Sequence, residues 1–98
     1  MKISKTENGS SLCLALEGRL DTNTAPELEN TLKNSIDGIT ELTIDMQSLD
    51  YLSSAGLRVL LGAQKTMNKQ GQMQVTHVND TIMEIFEVTG FVDILTIK

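Results

Sequence analysis

Ser53 and Ser54 are the side chains best placed for chemistry in this chain. They stand between an alternating stretch, Leu42-Thr43-Ile44-Asp45-Met46, and a run of helical periodicity that opens at Ala55-Gly56-Leu57. A hydroxyl at a helix N-terminus faces free backbone N–H groups and the positive end of the helix dipole. A phosphate carried there is stabilised, so the chemistry open to these hydroxyls is acceptance of a phosphoryl group. That group adds roughly −1.5 to −2 charge. Such a charge evicts a partner that covers the spot with apolar or acidic groups. One serine also has a plain structural task, since serine is strongly preferred as a helix N-cap.

Other chemistries find less support. A serine nucleophile needs a base within hydrogen-bond reach, and the only histidine, His77, follows Gln74-Val75-Thr76 at a predicted strand end. Ser53-Ser54-Ala55-Gly56 is not a Gly-x-Ser-x-Gly elbow. No Walker loop, Gly-x-Gly-x-x-Gly fingerprint or zinc-ligand spacing is present. Asp21, Asp45 and Asp50 invite one test, because strand-end aspartates beside a phosphoacceptor can hold Mg²⁺. No adjacent acidic pair follows the first strand, so no metal and no cofactor are expected. Cys13, between Leu12 and Leu14, reads as a small sheet residue, and a lone cysteine forms no intramolecular disulfide.

Composition bounds the rest. Ninety-eight residues make one domain, 1–98, with room for a core. The aromatics are only Tyr51, Phe86 and Phe91, so that core must be built from Leu, Ile, Val and Met. A formal charge of −5 argues against nucleic acid or an anionic membrane as the main partner. No stretch reads as a signal peptide or a membrane span, so no membrane insertion and a cytoplasmic location are expected.

The elements that would position the serines follow from periodicity. Met1 to Thr6 and Leu12 to Leu16 alternate as strands around the turn Glu7-Asn8-Gly9-Ser10. Cys13 and Ala15 are small enough for both sheet faces to be covered. Thr24-Ala25-Pro26-Glu27 predicts a capping box and a first-turn proline. The helix it opens has Ala25, Leu28, Leu32 and Ile36 on one side and is ended by Gly38. Glu41 to Met46 is a strand and Gln47 to Leu52 a connection. The next helix, to about Lys69, buries Gly56, Leu57, Leu60, Ala63 and Met67 and exposes Arg58, Gly62, Lys65 and Lys69; Gln64 breaks its pattern. Met73, Val75 and His77 mark a fourth strand. Asn79-Asp80 caps a short helix burying Ile82, Ile85 and Phe86, Gly90 ends it, and Phe91 to Ile97 closes the chain as a fifth strand. The order β-β-α-β-α-β-α-β predicts an α/β domain with a mixed, mostly parallel sheet of about five strands.

Four stretches in order resemble the STAS family, specifically its small anti-sigma factor antagonists, and the likeness spans the whole chain. They are Gly18-Arg19-Leu20-Asp21, Thr24-Ala25-Pro26-Glu27, the connection from Asp45 to Gly56, and Phe86-Glu87-Val88-Thr89-Gly90-Phe91. The resemblance implies a STAS domain that is a substrate and binding module with no catalysis of its own. Its implied partners are a histidine-kinase-like anti-sigma factor acting as serine kinase and a PP2C-type serine phosphatase. The unphosphorylated antagonist binds the kinase and frees the sigma factor; phosphorylation breaks the complex. The implied phosphoacceptor, two residues before the glycine, is Ser54, with Ser53 the outside candidate. This chain departs from the pattern in carrying Ser53 for the family's aspartate, Ala55 for its second hydroxyl, and Arg19 for its glutamate.

The partner surface expected from these readings joins Asp21, Ser53, Ser54, Ala55 and Gly56 to Arg58 and Lys65; the stripe Arg58, Gly62, Lys65 and Lys69, with Asp21 and the Ser53-Ser54 edge, is a face suited to an acidic partner helix. Two alternatives stand beside it. One is a STAS subunit of a lipid- or solute-transport or signalling scaffold complex; the other is a small nucleotide-binding α/β domain.

Overall fold

The computed structural model describes every residue from Met1 to Lys98. Strand β1 (Lys2–Asn8) turns through Gly9-Ser10 into β2 (Ser11–Leu20), and the two pair antiparallel. Gly9 takes φ +62°, a conformation that tight two-residue turns demand. Strand β3 (Glu41–Leu52) pairs parallel with β2, and β4 (Gln72–Thr76) parallel with β3, so the sheet runs β1-β2-β3-β4. Helix α1 (Ala25–Ser35) joins β2 to β3, α2 (Ser54–Gln70) joins β3 to β4, and α3 (Asp80–Thr89) follows β4.

The sheet therefore has four strands rather than five. Phe91–Asp93 forms a 3₁₀ turn, and Leu95 is drawn into the core. Only the last residues reach the edge of β4, as a single parallel bridge between Val75 and Ile97.

Strand β3 is longer than its hydrophobic pattern predicts. The expected connection Gln47–Leu52 is part of the strand, because β3 carries an extra residue twice against β2. Ala15 and Glu17 face Asp45 and Ser48, and Gly18 and Arg19 face Leu49 and Tyr51. Each bulge inserts one residue and resets the alternation. Buried positions thus run Leu42, Ile44, Met46 at a spacing of two, then Leu49 and Leu52 at three. Asp45 holds the first bulge, its Oδ1 accepting from the Gln47 backbone N–H at 3.0 Å.

The capping box of α1 does not form. Thr24 is the N-cap, but its backbone is already helical (φ −101°, ψ −19°) and its hydroxyl makes no cap bond. That hydroxyl turns back to the strand, accepting from the Asp21 N–H and donating to the Arg19 carbonyl, each at 2.8 Å. The helix also ends at Ser35 with Ile36 as C-cap, leaving Gly38 (φ +78°) in the turn beyond. Helix α3 is capped as expected. Asn79 Oδ1 accepts from the Ile82 N–H at 2.9 Å, while its Nδ2 donates to the Leu49 carbonyl at 2.9 Å. Asn79→Ala loses both the cap and the tie to β3 and is expected to lower stability by about 1–2 kcal/mol in urea unfolding.

One apolar cluster of 22 buried residues holds these elements together. Register places Leu12, Leu42 and Met73 in one row and Leu14, Ile44 and Val75 in the next. Leu28 and Leu32 of α1, Leu60 and Met67 of α2, and Ile82 and Phe86 of α3 belong to the same cluster. The core is aliphatic apart from Phe86. The opposite sheet face (Cys13, Thr43 and Gln74; Ala15, Asp45 and Thr76) is only half-buried, so the expected double cover is absent. Gln64 is 7% exposed and donates to Asn68 Oδ1 at 2.8 Å. No helix is long and apolar enough to cross a membrane.

Candidate functional site: the Ser53–Ser54 edge

Parallel pairing brings the C-terminal ends of β2 and β3 side by side, and α2 starts where they stop. Leu20 faces Leu52 in the last rung, and the Ser53 N–H extends the ladder to the Leu20 carbonyl at 2.9 Å. Ser53 is the N-cap of α2, in extended conformation (φ −95°, ψ 173°). Its Oγ accepts from the Gly56 N–H at 3.3 Å and its carbonyl from the Leu57 N–H at 3.0 Å. Donor, acceptor and hydroxyl of Ser53 are thus all engaged in starting the helix.

Ser54 differs. It is the first helical residue, it is exposed, and its hydroxyl takes part in no hydrogen bond within the chain. The first-turn N–H groups that face this end carry the partial positive charge of the helix. Ala55 is half-buried, and Gly56 is fully buried beneath the site. Arg58 lies one turn along α2 and Lys65 two turns further, both exposed on its outer side.

Asp21 lies at the end of β2, one residue beyond the Leu20 carbonyl that holds Ser53. Its Oδ1 accepts from the Asn23 and Thr24 N–H groups at 3.0 and 3.1 Å. Desolvation pushes its pKa up, but those backbone bonds, the Thr24 hydroxyl and the Arg19 charge outweigh it and hold the carboxyl below its ordinary value. A depressed carboxyl contributes stability above the unfolded pKa and loses it as pH falls through the folded one. Asp21 is therefore expected to titrate below an unperturbed aspartate in a carbon-detected NMR titration. Acidification should weaken the wild type more than Asp21→Asn over that window.

Arg19 and Tyr51 complete the edge. They face each other across β2 and β3, with the guanidinium carbon 4.2 Å from the ring centroid. Arg19 Nε also lies 3.7 Å from Asp21 Oδ2. Sequence reasoning missed this stack, because the second β3 bulge sets the register that joins the two residues. Arginine over tyrosine was otherwise a legible pairing of residue types.

The remaining candidates lie apart from the serines. His77 Nδ1 is 3.0 Å from Asp45 Oδ1, and Asp45 is eight residues before Ser53 along β3, on the order of 20 Å in extended chain. His77 is thus too far away to activate either hydroxyl. Asp21, Asp45 and Asp50 do not converge, and no three His, Cys, Asp or Glu side chains gather as metal ligands. Burial, with Asp45 adding to it, pushes the Cys13 thiol up, away from a reactive thiolate.

What the arrangement can do is present one free hydroxyl at the positive end of a helix, with Asp21 at the end of the neighbouring strand and Arg58 one turn on. Comparison with known proteins places the chain in a family. BtrV of Bordetella bronchiseptica is 32% identical over 99 residues, covering 99% of this chain and 85% of BtrV. The anti-sigma-B factor antagonist of Staphylococcus aureus is 32% identical over 83 residues, covering 83% of this chain and 77% of that protein. The Bacillus cell fate determinant SpoIIAA, solved in its phosphorylated form, shares the fold at a TM-score of 0.78 and 15% identity, over 99% of this chain and 91% of SpoIIAA. Residues 2–98 match the STAS domain, and the chain belongs to the STAS domain family.

Proposed function

We propose that this chain is an anti-sigma factor antagonist, a phosphorylation-gated binding module rather than an enzyme. Unphosphorylated, it sequesters a histidine-kinase-like anti-sigma factor and so frees the sigma factor. The same partner, acting as serine kinase in the cytoplasm, phosphorylates Ser54 and is released, and a PP2C-type phosphatase reverses the modification. The observation that carries this reading is the division of labour at the start of α2: Ser53 is engaged as the cap, while Ser54 is exposed and unbonded. The name of the Staphylococcus aureus relative supports the antagonist role, and SpoIIAA exists in a phosphorylated form. Asp21, Ala55, Gly56, Arg58 and Lys65 form the surrounding contact surface in this reading.

The test is purification of the native protein from its own cells, with intact-mass and phosphosite analysis. A species about 80 Da heavier, mapped to Ser54, with a kinase-like ATPase retained only by the lighter form, is the expected result. An unmodified protein held in a transporter or scaffold complex would overturn it and leave both serines as parts of a helix start.

A further inference from the structure

The cleft between α1 and α2 shares only Arg58 with the contact surface described above. It is an open groove of about 220 Å³ over an apolar floor of Leu32 of α1, the C-cap Ile36, and Val59, Gly62 and Ala63 of α2. Gly62 is the unexplained member. Mid-helix glycine disfavours the helix relative to alanine, and nothing inside this chain requires it here. A Cβ built on Gly62 meets no atom within 4 Å, and its φ is not positive. Gly56 is the contrast, being closely covered by Leu20 and Leu52. The bare backbone at Gly62 therefore faces outward, into the cleft.

Charge says what fits. In a chain of net charge −5, α2 carries Arg58, Lys65 and Lys69 and no acidic residue. None of the three is ion-paired; the chain's lysine and arginine ion pairs use Lys5, Arg19 and Lys33. Glu29 on the rim is already engaged, at 3.7 Å from Lys33. An apolar floor, a missing Cβ, the unpaired Arg58 in the cleft wall and two more unpaired cations further along α2 describe a seat for a helix.

We propose that the α1–α2 cleft receives an amphipathic helix of the protein partner, acidic beside its apolar stripe, with its backbone laid against Gly62. This rests on the antagonist reading and widens its contact surface toward α1 at Gly62, about 12 Å along α2 from Ser54. A phosphate at Ser54 then breaks one end of a longer footprint.

The test uses the full-length chain and the histidine-kinase-like ATPase encoded in its own genome, with affinity measured by calorimetry and stability by thermal melting. Gly62→Ala should raise the melting temperature and weaken binding about tenfold; Gly62→Gln should weaken it further at unimpaired stability. Arg58→Glu should weaken binding and flatten its salt dependence. A purely structural glycine would not raise stability while lowering affinity. If both Gly62 variants bind as tightly as wild type while Ser54→Asp does not, the cleft proposal is overturned and the antagonist reading stands. If the wild type does not bind the ATPase, both are overturned. If sedimentation shows a wild-type dimer that Gly62→Gln dissociates, the cleft takes a second copy of this chain, and the proposal is again overturned.

Discussion

Gly56→Val is expected to lower the stability of the domain by about 3 kcal/mol, read as a fall in melting temperature of about 12 °C or more. A Cβ at Gly56 would lie 2.7 Å from Leu20 Cγ and 2.8 Å from Leu52 Cδ1. Neither neighbour can give way easily. Leu20 and Leu52 are 0% and 3% exposed, and they form the last rung of the β2–β3 ladder on which Ser53 is hung. Valine adds two methyls to that Cβ and a stiff χ1, so α2 must lift from the sheet at the end where Ser53 and Ser54 sit. The effect should extend beyond stability to weaker binding. Trimming the opposing side chain, as in Leu20→Ala with Gly56→Ala, should give a loss smaller than the sum of the single losses, because Leu20→Ala removes the clash that Gly56→Ala makes with that side chain. Unchanged melting for Gly56→Val would show that the helix is not held at this distance.

The helix start that carries the candidate site was legible in the sequence because its signals are local. A helical period beginning after two hydroxyls, with glycine on the sheet-facing arc, needs only the neighbouring residues to be read. Structure then divided the roles of Ser53 and Ser54, which residue type alone cannot do, since either serine can cap. What the sequence did not disclose depends on register. The two bulges in β3 shift Leu49 and Leu52 off the period of two, so a strand of twelve residues reads as a six-residue strand and a loop. The Arg19–Tyr51 stack follows from the same shift. The α1 start was misread for another reason. Thr-x-x-Glu fits a capping box, but Asp21 competes with the cap and the Thr24 hydroxyl turns to Arg19 and Asp21 instead. The closing strand shrinks to one bridge because the 3₁₀ turn and the place of Leu95 in the core leave only Thr96 to Lys98 against β4.

Ser54→Asp is expected to weaken the complex with the kinase-like partner about 100-fold or more, on the order of 3 kcal/mol, while leaving the fold intact. The two halves of that expectation have different causes. Within the free domain, a carboxylate on the first turn of α2 meets the positive end of the helix and open solvent, which favours it by about 0.3–1 kcal/mol. Within a complex, the same carboxylate must lose its water against whatever covers Ser54. An acidic partner helix, the kind Arg58 and Lys65 fit, would repel it as well. Ser54→Ala removes a hydroxyl that holds no bond in the chain, so it should bind at least as tightly as wild type and resist release by ATP. Ser53→Ala is the control that separates site from scaffold. It removes the cap to the Gly56 N–H and should lower stability by about 0.5–2 kcal/mol, yet leave Ser54 open to phosphorylation. Calorimetric titration of the three variants, each with its melting curve, distinguishes the cases. Wild-type affinity for Ser54→Asp would show that no partner surface closes over this hydroxyl, and charge eviction would fail as the switch. Lost affinity together with a lower melting temperature would place the cause in the fold. Only lost affinity at undiminished stability fits a phosphate that acts by changing the surface of an unchanged domain.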